Sequence, residues 1–265
     1  MIKVVVAGAL GKMGQESCKA IVNAEGMQLA GAVDSRDSGH TIGTYIGKPE
    51  VNVTVSGDLE QVIRDVRPDV LVDFTRPGVV QRHIEIAINA GVRPVIGTTG
   101  MNAEEIERFV QLASAQRVGG LIAPNFAIGA LLMIKFATEA AKFFPHVEII
   151  ELHHDQKMDA PSGTAMKTAE SIAAVRGHMS QGMPSEFEKI EGVRGGNFEG
   201  MRIHSVRLPG FVAHQEVIFG GIGQTLSIRH DSISRESFMP GLILAVRKVM
   251  ALDHLVYGLE NLLFE

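Results

Sequence analysis

The sequence predicts an α/β protein in two parts: a parallel sheet with helices on both faces, then an α+β domain whose sheet is mainly antiparallel. Three observations carry this. Short, continuous apolar runs alternate with helix-spaced segments up to about residue 126. A glycine cluster, Gly8, Gly11 and Gly14, stands at the first strand-to-helix turn. Beyond Phe126 the late segments alternate apolar and polar residues, as half-exposed strands do.

Ile2–Ala7 is continuously apolar and stops at Gly8, as a strand buried on both faces should. Met13–Val22 has helical spacing, and Gln28–Val33 is a second strand ending at Asp34. Val51–Val55 reads as a third strand and Leu59–Val66 as a short helix before Pro68. Val70–Phe74 is a strand, and Val79–Ala90 a helix closed by Gly91. Pro94–Ile96 is a strand that feeds Gly97-Thr98-Thr99-Gly100. Asn102 is placed to cap a helix over Ala103–Ala115, with Glu104 and Glu105 in the first turn where the helix dipole favours them. Gly120–Ala123 is a strand ending at Pro124-Asn125-Phe126. Repeated β-α-β order implies a parallel sheet with helices on both faces.

Ile128–Phe144 reads as a long apolar helix, Val147–His153 as a strand and Ser162–Val175 as a helix. Residues 177–200 are rich in glycine and polar groups and read as an excursion. Ile203–Leu208, Ala213–Phe219 and Thr225–His230 read as strands, and Phe238–Val249 as a helix that returns to the first domain. The expected division is 1–126 plus about 236–265 for the first domain and 127–235 for the second.

Composition narrows the function. With 45% hydrophobic and 21% charged residues the chain is of ordinary globular type. A net charge of −5 disfavours a nucleic-acid surface, and the lack of Trp with only two Tyr disfavours base stacking. The lone cysteine, Cys18, rules out an internal disulfide framework or a Cys-rich metal site and suits a reducing cytoplasm. No apolar run reaches the roughly 20 residues of a membrane span, and Ile2–Ala7 is too short for a signal-peptide core.

The turn Gly8-Ala9-Leu10-Gly11-Lys12-Met13-Gly14 follows a strand and opens a helix, the context that gives a glycine cluster weight as a pyrophosphate cradle. Its spacing departs from G-x-G-x-x-G. The plain alternative is a tight strand-to-helix turn. Asp34 closes the second strand, where a carboxylate accepts hydrogen bonds from a ribose; Arg36 is a cation suited to a 2′-phosphate. These features define a Rossmann-type domain and leave NADH and NADPH both open. Gly97, Thr98 and Thr99, like Ala123, Pro124, Asn125 and Phe126, fall at the carboxyl ends of predicted strands, the edge where such sheets bind ligands.

The densest chemistry lies in Glu151-Leu-His-His-Asp-Gln-Lys-Met-Asp-Ala-Pro-Ser-Gly-Thr-Ala165. On a strand the neighbours His153 and His154 face opposite sides, which argues against shared metal ligation, and no metal is expected. An imidazole that exchanges a proton near neutral pH is the better reading, with Lys157 as a fixed cation or second donor. Ser162, Gly163 and Thr164 open a helix whose amides and hydroxyls can cradle a carboxylate. Taken singly, each residue has a bland role as a surface group or helix cap.

That segment resembles the signature of the 4-hydroxy-tetrahydrodipicolinate reductase family. Val6–Gly14, Asp73–Pro77, Gly97–Gly100 and Ala123–Phe126 agree, and the likeness runs the length of the chain. The resemblance implies reduction of 4-hydroxy-tetrahydrodipicolinate by NADH or NADPH, with loss of water, in lysine biosynthesis. It implies a homotetramer assembled through the second domain's sheet. It assigns His153 and Lys157 to proton transfer and His154, Gly163, Thr164 and Arg235 to the dicarboxylate. Gly8 to Met13, Asp34, Gly97 to Thr99 and Ala123 to Phe126 match cofactor contacts. Ser35 directly follows the acid, where some members carry arginine, and Arg36 comes one position later.

Three rivals stand beside this reading. A semialdehyde dehydrogenase needs a thiol nucleophile, and Cys18 falls inside a predicted helix. A nucleotide-sensing protein without chemistry would leave the His-His-Lys segment idle. A metal hydrolase is disfavoured by ligand spacing.

Overall fold

The computed structural model describes residues 1–36 and 39–264. They form two compact units, Met1–Phe126 with Phe238–Glu265, and Ala127–Ser237. The first contains β1 (Ile2–Ala7), α1 (Lys12–Asn23), β2 (Met27–Val33), α2 (Ile42–Ile46), β3 (Val55–Ser56), α3 (Leu59–Val66), β4 (Val70–Asp73), α4 (Val80–Asn89), β5 (Arg93–Ile96), α5 (Ala103–Gln116) and β6 (Gly120–Ile122). The second contains α6 (Ile128–Ala141), β7 (His146–His153), α7 (Gly163–Arg176), β8 (Gly196–Phe198), β9 (Met201–Arg207), β10 (Ala213–Gly221) and β11 (Gln224–Ser232). The chain then rejoins the first unit as α8 (Met239–Lys248), β12 (Leu255–Tyr257) and α9 (Glu260–Leu263).

The first unit is a parallel sheet in the order β12-β6-β5-β4-β1-β2-β3. The chain winds outward from β1 in one direction and from β4 in the other, so β1 and β4 flank the point where a crevice opens at the strands' carboxyl ends. The apolar runs explain the burial. Val4 to Ala7 and Val70 to Val72 are wholly inaccessible, as strands covered on both faces require. Leu59, Ile63 and Ala87 pack against Val5, Val33 and Leu71, while Ile84, Ile88, Phe109 and Ala113 pack against Ile96, Ile122 and Leu255. Helix α8 lies against α1. Gly241 lets α8 approach the backbone at Phe126, because a Cβ there would stand 2.0 Å from the Phe126 carbonyl oxygen. Asn102 and Glu105 form a reciprocal capping box on α5.

The second unit has a sheet in the order β11-β10-β7-β9-β8. It is antiparallel except for the β7–β9 pair, which α7 and the excursion connect by a crossover. Helices α6 and α7 cover one face, burying Met133, Ala137, Ala165, Ala169 and Ile172 against Val147, Ile149, Met201, Ile203, Val217 and Phe219. The other face carries Ile150, Leu152, Val206 and Ile218, all partly exposed.

Several elements differ from the sequence reading, among them the short helices α2 and α9, which it did not name. Only Val55–Ser56 pairs with β2, because residues 53–55 bond instead to the chain at 40–42, with a bridge between Thr41 and Thr54. Strand β12 has three residues, too few to show a period, and gains its identity by pairing with β6. The excursion ends in β8, which pairs with β9. No helix among the described residues is long and apolar enough to cross a membrane.

Candidate active site

The carboxyl edge of the parallel sheet collects the first set of polar and glycine positions. At the end of β1, Gly8 has φ +75°, and a Cβ on it would stand 2.6 Å from the Phe74 carbonyl oxygen. A Cβ on Gly14 would stand 2.0 Å from the Gly8 carbonyl oxygen. Turn and helix therefore meet backbone to backbone, which only glycine allows. Gly11 is the N-cap of α1 and supplies no side-chain cap, so the positive end of the helix faces outward unneutralised. Lys12 is exposed beside it, Met13 half-buried, and Ala9 and Leu10 buried. This is a fitting cradle for the pyrophosphate of a dinucleotide.

Asp34 stands at the end of β2 with its side chain 6% exposed. It accepts the Leu10 amide at 2.9 Å and both Nε and Nη2 of Arg36 at 3.0 Å. Burial works against its charge, but these bonds outweigh it and hold the carboxyl below its usual range.

One buried carboxylate ties the remaining loops together. Asp73, at the end of β4, is fully inaccessible and accepts the amide and hydroxyl of Thr75 at 2.8 and 2.7 Å, the Thr98 hydroxyl at 3.0 Å and His83 Nδ1 at 2.7 Å. The Thr98 hydroxyl is thus occupied inside the protein, while Thr99 is exposed. The Phe74 ring covers Gly97, where a Cβ would meet it at 2.1 Å. It also packs edge-on to Phe126 at 5.8 Å. Pro124 is exposed at this edge, Asn125 partly so, and Ala123 is buried.

The second set lies in the other unit. On β7, residues Val147, Ile149, Glu151 and His153 share the helix-covered face by strand alternation. His153 is the last residue of the strand, so His154 starts the following loop and is not bound to the opposite face. His153 Nδ1 lies 2.5 Å from Glu151 Oε2. Arg207, level with His153 on β9, donates Nη1 to Oε2 at 2.9 Å and Nη2 to Oε1 at 2.7 Å. Glu151 is completely buried. Burial opposes its charge, yet bonds from His153, Arg207 and Ser205 hold its pKa at about 2. It is ionised at any working pH.

Lys157 Nζ reaches Asp159 Oδ1 at 2.6 Å, and the Asp159 carbonyl accepts Arg207 Nη2 at 2.8 Å. Ser162 caps α7, its hydroxyl accepting the Ala165 amide at 3.2 Å, and its own amide donates to Glu151 Oε1 at 3.3 Å. These bonds use the Ser162 amide and one acceptor site of its hydroxyl, and leave the hydroxyl proton able to donate. Gly163 is exposed at the helix start and a Cβ there would meet nothing within 4 Å. Thr164 follows, partly exposed. Arg235 stands on an exposed 3-10 turn, Arg235–Phe238, without an ion pair among the described residues. So the fold brings His153, Lys157 and Ser162 into one bonded network and leaves Arg235 outside it. Glu151 and Asp159 stand in the segment singled out from the sequence without a role of their own, and Arg207 lies outside it. The Glu-x-His spacing, which sets both side chains on one strand face, was a usable signal for Glu151; nothing local marks Arg207.

No cluster of three or more His, Cys, Asp or Glu among the described residues is arranged to hold a metal. Cys18 is buried in α1, and burial pushes its thiol up to about 12, far from a nucleophile's range.

Family models match both parts of the chain. "Dihydrodipicolinate reductase, N-terminus" covers residues 2–126 and "Dihydrodipicolinate reductase, C-terminus" covers 129–263. The chain is 56% identical over 263 residues to 4-hydroxy-tetrahydrodipicolinate reductase of Desulfitobacterium hafniense, spanning 99% of this chain and 98% of the relative. The Halalkalibacterium halodurans enzyme is also 56% identical over 263 residues, spanning 99% of this chain and all (100%) of the relative. A solved structure, dipicolinate-bound dihydrodipicolinate reductase from Paenisporosarcina sp. TG-14, superposes with a TM-score of 0.89 at 49% identity, covering 98% of this chain and 99% of that one. The chain belongs to the dihydrodipicolinate reductase family.

Proposed function

We propose that this protein reduces 4-hydroxy-tetrahydrodipicolinate to tetrahydrodipicolinate, with loss of water, using NADH or NADPH, in the diaminopimelate and lysine route. The observation that carries this is the full-length family match, which includes the whole segment from Glu151 to Ala165. The Paenisporosarcina relative holds dipicolinate, a dicarboxylate of related shape.

When bound, the nicotinamide supplies the hydride. The chain's residues bind, orient and protonate. Gly8, Ala9, Leu10, Gly11, Lys12 and Met13 hold the pyrophosphate at the start of α1, and Asp34 receives the adenosine ribose, with Arg36 beside it. Gly97, Thr98 and Thr99, with Ala123, Pro124, Asn125 and Phe126, shape the nicotinamide end. His153 and Lys157 supply the proton that balances hydride addition and departure of the hydroxyl as water. Ser162, Gly163 and Thr164 take one substrate carboxylate at the helix start, and His154 and Arg235 add polar contacts to the dicarboxylate. Four copies assemble through the second unit's sheet, whose uncovered face offers Ile150, Leu152, Val206 and Ile218; sedimentation velocity should give four times 28.5 kDa.

The test is loss of nicotinamide absorbance when purified protein meets freshly generated substrate and either cofactor. Sustained, protein-dependent oxidation supports the reading. A protein that binds cofactor but never consumes it would favour a sensor instead.

A further inference from the structure

The network around Glu151 reaches beyond the residues assigned so far. Besides Ser205, its two oxygens take His153 Nδ1 and Arg207 Nη1 on Oε2, and Arg207 Nη2 and the Ser162 amide on Oε1. Resting on the reductase reading, we infer that Glu151 and Arg207 are positioning residues for the reaction. The carboxylate fixes His153 as the Nδ1–H tautomer, so that Nε2 is the nitrogen that exchanges protons, and Arg207 locks both the carboxylate and the loop that carries Lys157.

An ionised carboxylate has no proton to donate. The Nδ1–Oε2 contact therefore requires the proton on Nδ1, which leaves Nε2 with the lone pair in the neutral ring. Free imidazole interchanges its tautomers; holding one proton on Nδ1 makes Nε2 the nitrogen that takes up the second proton and delivers it. Arg207 prevents rotation of the carboxylate by gripping both oxygens, a two-point fork that a lysine cannot reproduce. The same guanidinium holds the Asp159 carbonyl, so the turn between Lys157 and Ser162 is registered against the His153 side chain by one group. A purely structural role explains this less well. Burying three charged or polar groups costs about as much as their pairing returns, so apolar packing would serve stability equally.

Two measurements on the full-length protein test the inference. In wild-type protein labelled with 15N-histidine, the neutral His153 ring should show a protonated Nδ1 and an unprotonated Nε2. In Glu151→Gln the amide can donate as well as accept, so both tautomers should appear. Its kcat should fall at least about tenfold, with an altered pH profile, while Kd for NADH stays within about twofold of wild type. Arg207→Lys keeps the charge but loses the fork and should lower kcat in the same direction. A wild-type spectrum showing Nε2–H would overturn the inference, as would a folded Glu151→Gln protein with unchanged kcat and pH profile. Should Glu151→Gln fail to fold, the wild-type spectrum and the kcat of Arg207→Lys decide between the two outcomes. The tautomer is read without turnover, so a protein with the expected ring state that oxidises neither cofactor would remove the assigned reaction and not the ring's orientation.

Discussion

Asp34 and Arg36 grip each other through two parallel bonds of 3.0 Å, although the carboxylate is 6% exposed and the guanidinium 60%. The aspartate is built into the turn, since it also holds the Leu10 amide. The arginine is a surface arm. When its guanidinium turns to a 2′-phosphate, the buried carboxylate still accepts the Leu10 and Arg36 amides at 2.9 and 3.1 Å. Arg36→Ala should therefore raise Kd for NADPH on the order of tenfold, the worth of one charge-assisted contact. NADH affinity should barely change. Fluorescence titration of both cofactors against both proteins measures this; equal losses would show that Arg36 does not choose between them.

Much of this architecture was legible because burial leaves a direct trace in sequence. Val4 to Ala7 read as a strand since a strand covered on both faces has no polar positions to spare. Gly8 and Gly14 read as a turn because backbone contact excludes a Cβ. The His153 to Thr164 segment is contiguous, so its chemistry shows along the chain. The supporting residues are not contiguous with it. Arg207 sits 56 positions from Glu151 and meets it only through β7–β9 register. His83 meets Asp73 only when α4 folds back on β4. Ser162 reads as a helix start in the sequence, and its hydroxyl does accept the Ala165 amide while its own amide donates to Glu151.

Lys157 offers a second test. Its ammonium is paired with Asp159, whose side chain is 61% exposed, so the pair is easily separated when a substrate anion arrives. Lys157→Ala should leave Kd for NADH unchanged and lower kcat on the order of a hundredfold or more, through loss of a charge aimed at the reacting anion. Stopped-flow absorbance at saturating substrate reads it. Unchanged turnover would remove Lys157 from the mechanism.

Glu151 makes acid stability predictable. Its folded pKa of about 2 lies below the usual 4.5, so its stabilising contribution is present above about pH 4.5 and is lost as pH falls toward 2. For this fully buried side chain the difference corresponds to about 3 kcal/mol. Stability of the wild type to urea should fall steeply between about pH 4.5 and 2. Glu151→Gln should be less stable at pH 7 and flatter across that window. Parallel curves for the two proteins would contradict the assignment.

Gly14 is a position where stability and cofactor binding should fail together. An alanine Cβ would stand 2.0 Å from the Gly8 carbonyl oxygen and 2.8 Å from Ala9 Cα, and backbone cannot step aside as a side chain can. Gly14→Ala should cost about 1–3 kcal/mol, as overpacking does, and reduce NADH binding sharply because the cradle must open. Retained affinity with normal stability would show that the turn is looser than its geometry implies.

Gly163 presents the opposite case. Nothing lies within 4 Å of where its Cβ would be, and it occupies the first turn of α7. Alanine there restricts the unfolded chain and should leave stability unchanged or raise it by up to about 1 kcal/mol. If the helix start receives a substrate carboxylate, the added methyl group intrudes on the ligand and on nothing else. Gly163→Ala should then raise KM for the dicarboxylate several-fold, with Tm and Kd for NADH untouched. Calorimetry and steady-state kinetics on one preparation separate the two effects. An unchanged KM would move the carboxylate away from this helix start.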